Sequence, residues 1–420
     1  MSISAFRIKQ TFFIAVIVIL MVVYYSIFRQ LMMSPQIYEG IDFIHFYSAG
    51  RIAQVDGTVN IYKIEEQKKM EEVVKGRLIP AKEVLLFNHP AFIVPLLQLV
   101  VGTDYLSSLQ RWIVVQLGLY LLSAWIISSL MSKTLFERFL SGIAVILFFP
   151  AIISLIGGQD SAILFLGAAI WIVGLINEDD YIAGLGLALT TIRPHIAIVL
   201  AIPFIFKRQK VFAGFCLGAG ALILVSFFVV GLSGAKDYMQ IVTLSVNGNS
   251  NLGQSIMFNL LGCLLRSFPN VSPELLRYIA WAVYAIALVG MCFLWRKART
   301  IEPRHIGTLI LIGLFAVPHL HYHDLVILLV PIILSIRKAN MLGLICLLDM
   351  PLIVAGLSLL LLINHTLLSP YIHPIPYLLM TLLVMWLWLP EHYIRHKTAR
   401  SSSSPGQKEW YEITSRENGL

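Results

Sequence analysis

Asp42 stands nine residues past Met33, the end of a long apolar run, with Ile41 and Phe43 on either side. A carboxylate at an apolar interface has its pKa pushed upward, which suits a general base. The same acid in a loop can simply be solvated, and residue type alone does not choose. Arg193, in IRPH at 192–195, is a planar cation that can hold a phosphate through two hydrogen bonds; the competing reading is an Arg snorkelling to lipid headgroups. HLHYHD at 319–324 gathers His319, His321, His323 and Asp324. Alternation by two puts them on no single helix face. A turn could converge them on a metal, but contact with a phosphate or with sugar hydroxyls is the stronger expectation, and no metal or other cofactor is expected. GGQDS at 157–161 carries Gln159 and Asp160, and Asp160 can instead cap the helix that follows the glycine break. Asp349, inside an apolar run, reads as an inward-facing polar contact.

These groups sit in a chain made for lipid. Of its 420 residues, 58% are apolar and 13% charged, with a mean hydropathy of +0.81. Soluble domains run about 45–50% apolar and about 25% charged, so a soluble enzyme, a disordered chain and a fibrous repeat are excluded. The net charge of +8 lies in short loops between apolar runs. There is no basic stripe with interleaved aromatics, so nucleic acid is not a partner. Cys216, Cys263, Cys292 and Cys346 have no redox or metal spacing and read as small apolar residues.

The apolar runs predict an all-α polytopic membrane protein of about twelve spans. The first, Thr11–Met33 behind Arg7 and Lys9, reads as an uncleaved span with its N-terminus inside. Residues 34–104 form a large first outer loop, where short amphipathic helices are expected on the membrane surface. Within it, the Pro-rich run 89–102 is too short to cross and reads as re-entrant or interfacial. Further runs follow at 105–130, 139–156, 161–177, 181–192, 194–206, 211–232, 276–295, 306–318, 324–336, 341–363 and 374–389. Lys and Arg then cluster in the inner loops, for example at 207–210, 296–304 and 337–338, and in the basic, Ser-rich tail 391–420. That asymmetry places both termini in the cytoplasm.

The same topology puts eight of the eleven histidines outside: His45, His89, His195, His319, His321, His323, His365 and His373. NGNSNLGQS at 247–255 joins them. Ionisable groups at the ends of lipid-embedded helices are expensive unless solvated or paired, so they imply a functional outer cavity. The pairs 181–192/194–206 and 306–318/324–336 are hairpins with arms of only about 20 Å, and such interrupted helices are where polar sites are built.

Four motifs, in order and on one face, resemble glycosyltransferase family 87, also called domain of unknown function 2029. They are DFIHFYSAGR at 42–51, GQDS at 158–161, RPH at 193–195 and HYHDL at 321–325. FNHPAF at 87–92 departs from the family's Tyr-Pro-Pro type sequence. The resemblance covers roughly residues 10–390, and residues 1–390 read as one transmembrane catalytic domain. It implies a GT-C fold in the plasma membrane and a polyprenyl-phosphate sugar donor, mannose in the better-known members. It also implies a glycan or glycolipid acceptor and inverting transfer outside. Asp42 then corresponds to the catalytic aspartate. Arg193, His195, Gln159, Asp160, His319, His321, His323, Asp324, Tyr47 and Arg51 correspond to positions that bind donor phosphate or substrate. Two rival readings stand: a transporter or flippase of a lipid-linked sugar, which would need a polar path to the cytoplasmic face, and a lipid-linked glycan polymerase or ligase, which would need a large late outer loop.

Overall fold

The computed structural model describes residues 3–130, 134–246, 257–342, 344, 350–363 and 374–389. Asp349, Cys346, His365, His373, the 247–255 motif and the 391–420 tail lie outside the described residues. Within them the secondary structure is helical throughout. The helices are α1 (Ile3–Met33), α2 (Pro35–Tyr38), α3 (Phe43–Val55), α4 (Ile64–Lys75), α5 (Val94–Val100), α6 (Tyr105–Ser128), α7 (Leu135–Leu147), α8 (Phe149–Gly157) and α9 (Ser161–Ile176). They continue with α10 (Asp180–Leu189), α11 (Pro194–Ala201), α12 (Gln209–Val246), α13 (Leu260–Ser267), α14 (Pro273–Lys297), α15 (Pro303–Ala316), α16 (Leu329–Met341), α17 (Met350–Ile363) and α18 (Pro374–Trp388).

Among the described residues, four helices are long and apolar enough to cross a membrane: α1 over Ala15–Met33, α6, α12 and α14. A fifth span arises if α7 and α8, bent by 61°, are taken together. Most of the remaining expected spans are apolar helices of 10–17 residues. The reason is visible in the sequence. Pro194 and Pro303 open their helices at the first turn, and Gly158 closes α8 in the left-handed region at φ 64°. Proline at N1 and glycine past the C-terminus are the residues that start and stop helices most cheaply.

Long helices also bend where residue type allows. α12 has 38 residues, and Gly231 at φ 65° and ψ −173° divides it. In its first part Phe228 is 84% exposed, while Tyr238 and Val242 beyond the break face a cavity. α10 lies against α9 and α12, and a Cβ at Gly186 would collide with the Trp171 backbone. Small residues that let helix backbones approach are the usual packing device in lipid.

In residues 34–104, where surface helices are expected, α3 does not lie at the surface. α3 is enclosed, with Phe43, Ile44, Phe46, Ala49 and Ile52 all buried against α4, α5 and α6. Its apolar residues surround the whole helix rather than one stripe, and that pattern demands burial. α4 is amphipathic and keeps Glu65, Lys68 and Lys69 outward, while burying Gln67 and Glu71.

Candidate active site

Four helix breaks and one extended segment bring the polar motifs together. Asp42 precedes α3. Gln159 and Asp160 fill the turn between α8 and α9, which Trp112 pins by donating its indole N–H to the Gly158 carbonyl at 2.8 Å. Arg193 stands between α10 and α11, held in an extended conformation (φ −122°, ψ 82°) before Pro194, as the residue before a proline should be. The fourth break, after α15, carries His319 to Asp324.

The segment is 79–89, extended apart from a single 3-10 turn at Ala81–Glu83. α4 holds it through side chains that accept backbone N–H groups: Glu72 from Ile79 at 3.0 Å, Glu71 from Leu85 at 2.8 Å and Gln67 from Phe87 at 2.7 Å. Tyr62 donates to the His89 carbonyl at 2.6 Å. A polar loop therefore fixes His89 deep inside the molecule.

At the centre lies Arg193, buried with every nitrogen in use. Nε donates to Asp324 at 3.0 Å, and Nη2 lies 2.8 Å from Asp160 and donates to Gln159 Oε1 at 3.2 Å. Nη1 is 2.8 Å from His89 Nδ1 and Nη2 is 3.4 Å from His323 Nε2. His89 Nδ1 is also 2.9 Å from Asp160. Asp160 occupies the N-cap position of α9 but makes no capping bond with its side chain; its carboxylate goes to Arg193 and His89 instead. Asp324 also accepts from the His321 backbone N–H at 3.2 Å. Two carboxylates on one guanidinium satisfy a buried charge that would otherwise be prohibitive.

Asp42 is joined to this array by Gln159, whose Nε2 donates to Oδ2 at 2.6 Å. The expected upward pKa shift is not found. Burial pushes the carboxyl up and the Gln159 hydrogen bond pulls it down, and Asp42 lies lower than an ordinary aspartate. It is therefore ionised near neutrality and ready to accept a proton. Burial pushes His45 down to about 3, so this ring is neutral. Its plane stacks on His89 with centroids 5.2 Å apart.

Asp42, His45, His89, Gln159 and Arg193 line a cavity of about 1050 Å³. His195, His319, His321 and His323 line it too, with ring centroids 4.6–5.9 Å apart along the series. Among the described residues no group of three or more His, Cys, Asp and Glu side chains is placed to hold a metal ion. Asp160 and Asp324 stand behind Arg193 as its counter-charges. Tyr47 and Arg51 are not brought to the cavity. Tyr47 donates to the Thr103 carbonyl at 2.9 Å, and Arg51 donates to Gln54 at 2.5 Å, on the side of α3 that faces α5.

A family model for glycosyltransferase family 87 matches residues 89–319, more than half of the chain. The chain belongs to glycosyltransferase family 87. Membership makes it a membrane glycosyltransferase, in keeping with its long apolar helices. No curated protein and no solved structure matches it. The matched stretch opens at His89 and closes at His319, so it contains Gln159, Asp160 and Arg193. Asp42 and Asp324 lie outside it and are joined to the family segment by the tertiary contacts above.

The sequence placed His45 and His89 among the outer histidines but gave neither a role as a site residue, and it gave none to α14. His89 had a signal in FNHPAF, a histidine fixed in place before a proline. The α14 wall, with Arg277, Trp281 and Tyr284 on the cavity, looked like one more apolar span.

Proposed function

We propose that the chain transfers a hexose, mannose in the first instance, from a polyprenyl-phosphate donor to a hydroxyl of a glycan or glycolipid acceptor. The reaction takes place on the extracytoplasmic side of the cytoplasmic membrane, with both termini in the cytoplasm, and inverts the anomeric carbon. One observation carries the reading. Of the three carboxylates at the site, Asp160 and Asp324 are bound to Arg193, while Asp42 is held by a neutral amide on the cavity wall. Asp42 is therefore the carboxylate with no fixed counter-ion, open to a substrate.

In this reading Asp42 removes the proton from the acceptor hydroxyl as its oxygen attacks the anomeric carbon. The bond from that carbon to the phosphate oxygen breaks, and polyprenyl phosphate leaves with the electron pair. A positioned base contributes about 10²–10⁴ in rate. Neutral imidazoles on the cavity wall can each donate one N–H to sugar hydroxyls or to the departing phosphate, and such preorganised donors are worth most in a site shielded from water. The prenyl chain reaches the site from the bilayer, beside helices whose outer faces are already apolar.

Membranes holding wild type or Asp42→Asn, given radiolabelled polyprenyl-phosphate mannose and glucose, test the reading. Transfer by wild type that disappears in the variant supports it. Transfer retained in Asp42→Asn removes Asp42 from the role of base, and absence of wild-type transfer from every lipid-phosphate sugar removes the donor class.

A further inference from the structure

The cavity has two unlike walls. The first outer segment builds one, with Asp42, Asn88 and His89 on it. The second part of α12 and the chain from 257 into α13 build another, with Val242, Met257 and Leu261 on it. In an inverting displacement the incoming oxygen and the departing phosphate lie on opposite sides of the anomeric carbon. The base must touch the incoming hydroxyl, so the acceptor belongs on the Asp42 side. The prenyl chain belongs on the apolar one, where its burial is favourable.

The chain is fixed on both sides of Asn88. Gln67 accepts from the Phe87 N–H at 2.7 Å, Tyr62 donates to the His89 carbonyl at 2.6 Å, and Pro90 follows at φ −60°. Phe87 and His89 are buried on the first turn of α3. The Phe87 ring lies 6.0 Å from Phe46, and the His89 ring lies 4.7 Å from Phe46 and 5.2 Å from His45. Successive side chains of an extended chain point opposite ways, so Asn88 is turned away from α3. It is half-buried and lines the cavity, and its amide has no hydrogen-bond partner among the described residues. Tyr238 stands beside this strand. Its ring is 4.9 Å from that of Tyr62, which stacks on Phe87 at 5.7 Å. It too lines the cavity, with a hydroxyl that has no partner among the described residues. An amide offers two donors and one acceptor, and a phenol offers one donor and accepts as well. Adjacent hydroxyls of a sugar ring, each a donor and an acceptor, match that set. Because the strand is pinned, the amide is aimed before the ligand arrives, and little ordering is left to oppose binding.

We infer that Asn88, with Tyr238, forms the acceptor subsite and binds the ring hydroxyls of a hexoside beside the one that Asp42 deprotonates. The Asn88 amide donates to one of these hydroxyls and accepts from its neighbour, and Tyr238 donates to a further one. Asn88 thereby sets which acceptor sugar is used. This inference rests on the proposed transfer reaction and assigns its acceptor to one wall of the cavity.

The test is steady-state transfer by the full-length protein in nanodiscs, from tritiated polyprenyl-phosphate mannose to hexyl α-mannoside, hexyl α-glucoside and hexyl β-galactoside. Wild type, Asn88→Ala, Asn88→Asp and Tyr238→Phe are compared. Wild type should use at least one of the three hexosides. Asn88→Ala should raise the acceptor KM by about ten- to a hundredfold, the loss of two hydrogen bonds, with donor KM and kcat within about twofold of wild type. Asn88→Asp keeps the shape and loses the donors, so its acceptor KM should fall between. Tyr238→Phe should raise it by about threefold, and an unchanged value there overturns the pairing with Tyr238. An unchanged acceptor KM in Asn88→Ala overturns the subsite. So does a rise confined to donor KM, which would put the donor on this wall, or a loss of kcat with both KM values unchanged. If Asn88→Ala fails to fold, Asn88→Asp decides, because an unchanged acceptor KM there shows that the amide donates nothing. No transfer to any hexoside, alongside wild-type transfer in whole membranes, overturns the inference and leaves the reaction standing. Failure of both removes the reaction itself.

Discussion

Gln159 donates its amide N–H to the Asp42 carboxylate at 2.6 Å, and its carbonyl accepts from Arg193 at 3.2 Å. One neutral side chain thus aims the site's reactive carboxylate and couples it to a buried cation, without placing a full counter-charge on it. Gln159→Leu should leave Asp42 in place but unaimed. The expected result is a fall in turnover of about 10- to 100-fold with donor binding nearly unchanged, since misplacement of a catalytic group costs on that order. Steady-state kinetics separates the two. A changed KM with unchanged kcat would make Gln159 a substrate contact only.

Asp42→Asn keeps shape and can still accept the Gln159 hydrogen bond, but cannot take a proton. Transfer should fall by about 10²–10⁴, with expression and donor binding retained. Asp56→Asn, at the far end of α3, should be nearly silent. Radiolabelled transfer in membranes checks both.

Arg193→Ala should first of all destabilise the protein. It strands Asp160 and Asp324, both fully buried, and breaking a buried pair by removing one partner typically costs about 3–5 kcal/mol. Thermal unfolding in detergent measures it. A variant of native stability that has lost only donor affinity would show that Arg193 serves the phosphate and not the fold.

Acid should weaken the fold through His45. An unfolded histidine titrates at 6.5, whereas the folded ring is pushed down to about 3. Between those values the unfolded chain binds the proton and the native site refuses it, so stability falls as pH drops below about 6.5, by at most about 1.4 kcal/mol per pH unit for this group. The lowered Asp42 acts in the same direction, its contribution being lost as pH falls through its folded pKa. Unfolding midpoints from pH 7 to 4 should drop less steeply in His45→Gln than in wild type. Parallel slopes would mean that His45 does not resist protonation.

Gly158→Ala should damage the site through the backbone. Gly158 lies at φ 64°, and a Cβ there would sit 2.5 Å from the Phe43 Cβ. Strain of about 1 kcal/mol or more in φ adds to the displacement of Phe43, the neighbour of Asp42. Lowered stability and lowered transfer are expected together. Full activity in a less stable protein would show that Asp42 is placed independently of this turn.

Composition and patterning were enough for the all-helical membrane class, because apolar runs that exclude charge have no other solvent. Order and spacing of DFIHFYSAGR, GQDS, RPH and HYHDL were enough for the family. They also marked the helix breaks, since Gly158 and Pro194 act locally, through φ and a missing N–H. What each motif side chain touches was decided only in three dimensions. Asp160 lies directly before α9 and reads as a cap, yet its charge goes to Arg193, 33 residues on, because a buried guanidinium outweighs a peptide N–H as partner for a carboxylate. Tyr47 and Arg51 share a motif with Asp42 but leave the cavity, because the turn of α3 points them at α5. The position of His89 and of the α14 wall in the site was not legible locally, as it depends on α4 side chains holding segment 79–89 and on the packing of a span against the histidine cluster. Nor could a count of apolar runs show which of them are long enough to cross. Helix length is set by capping residues, but a short arm survives in lipid only when its neighbours cover its ends, and that is a property of the assembled bundle.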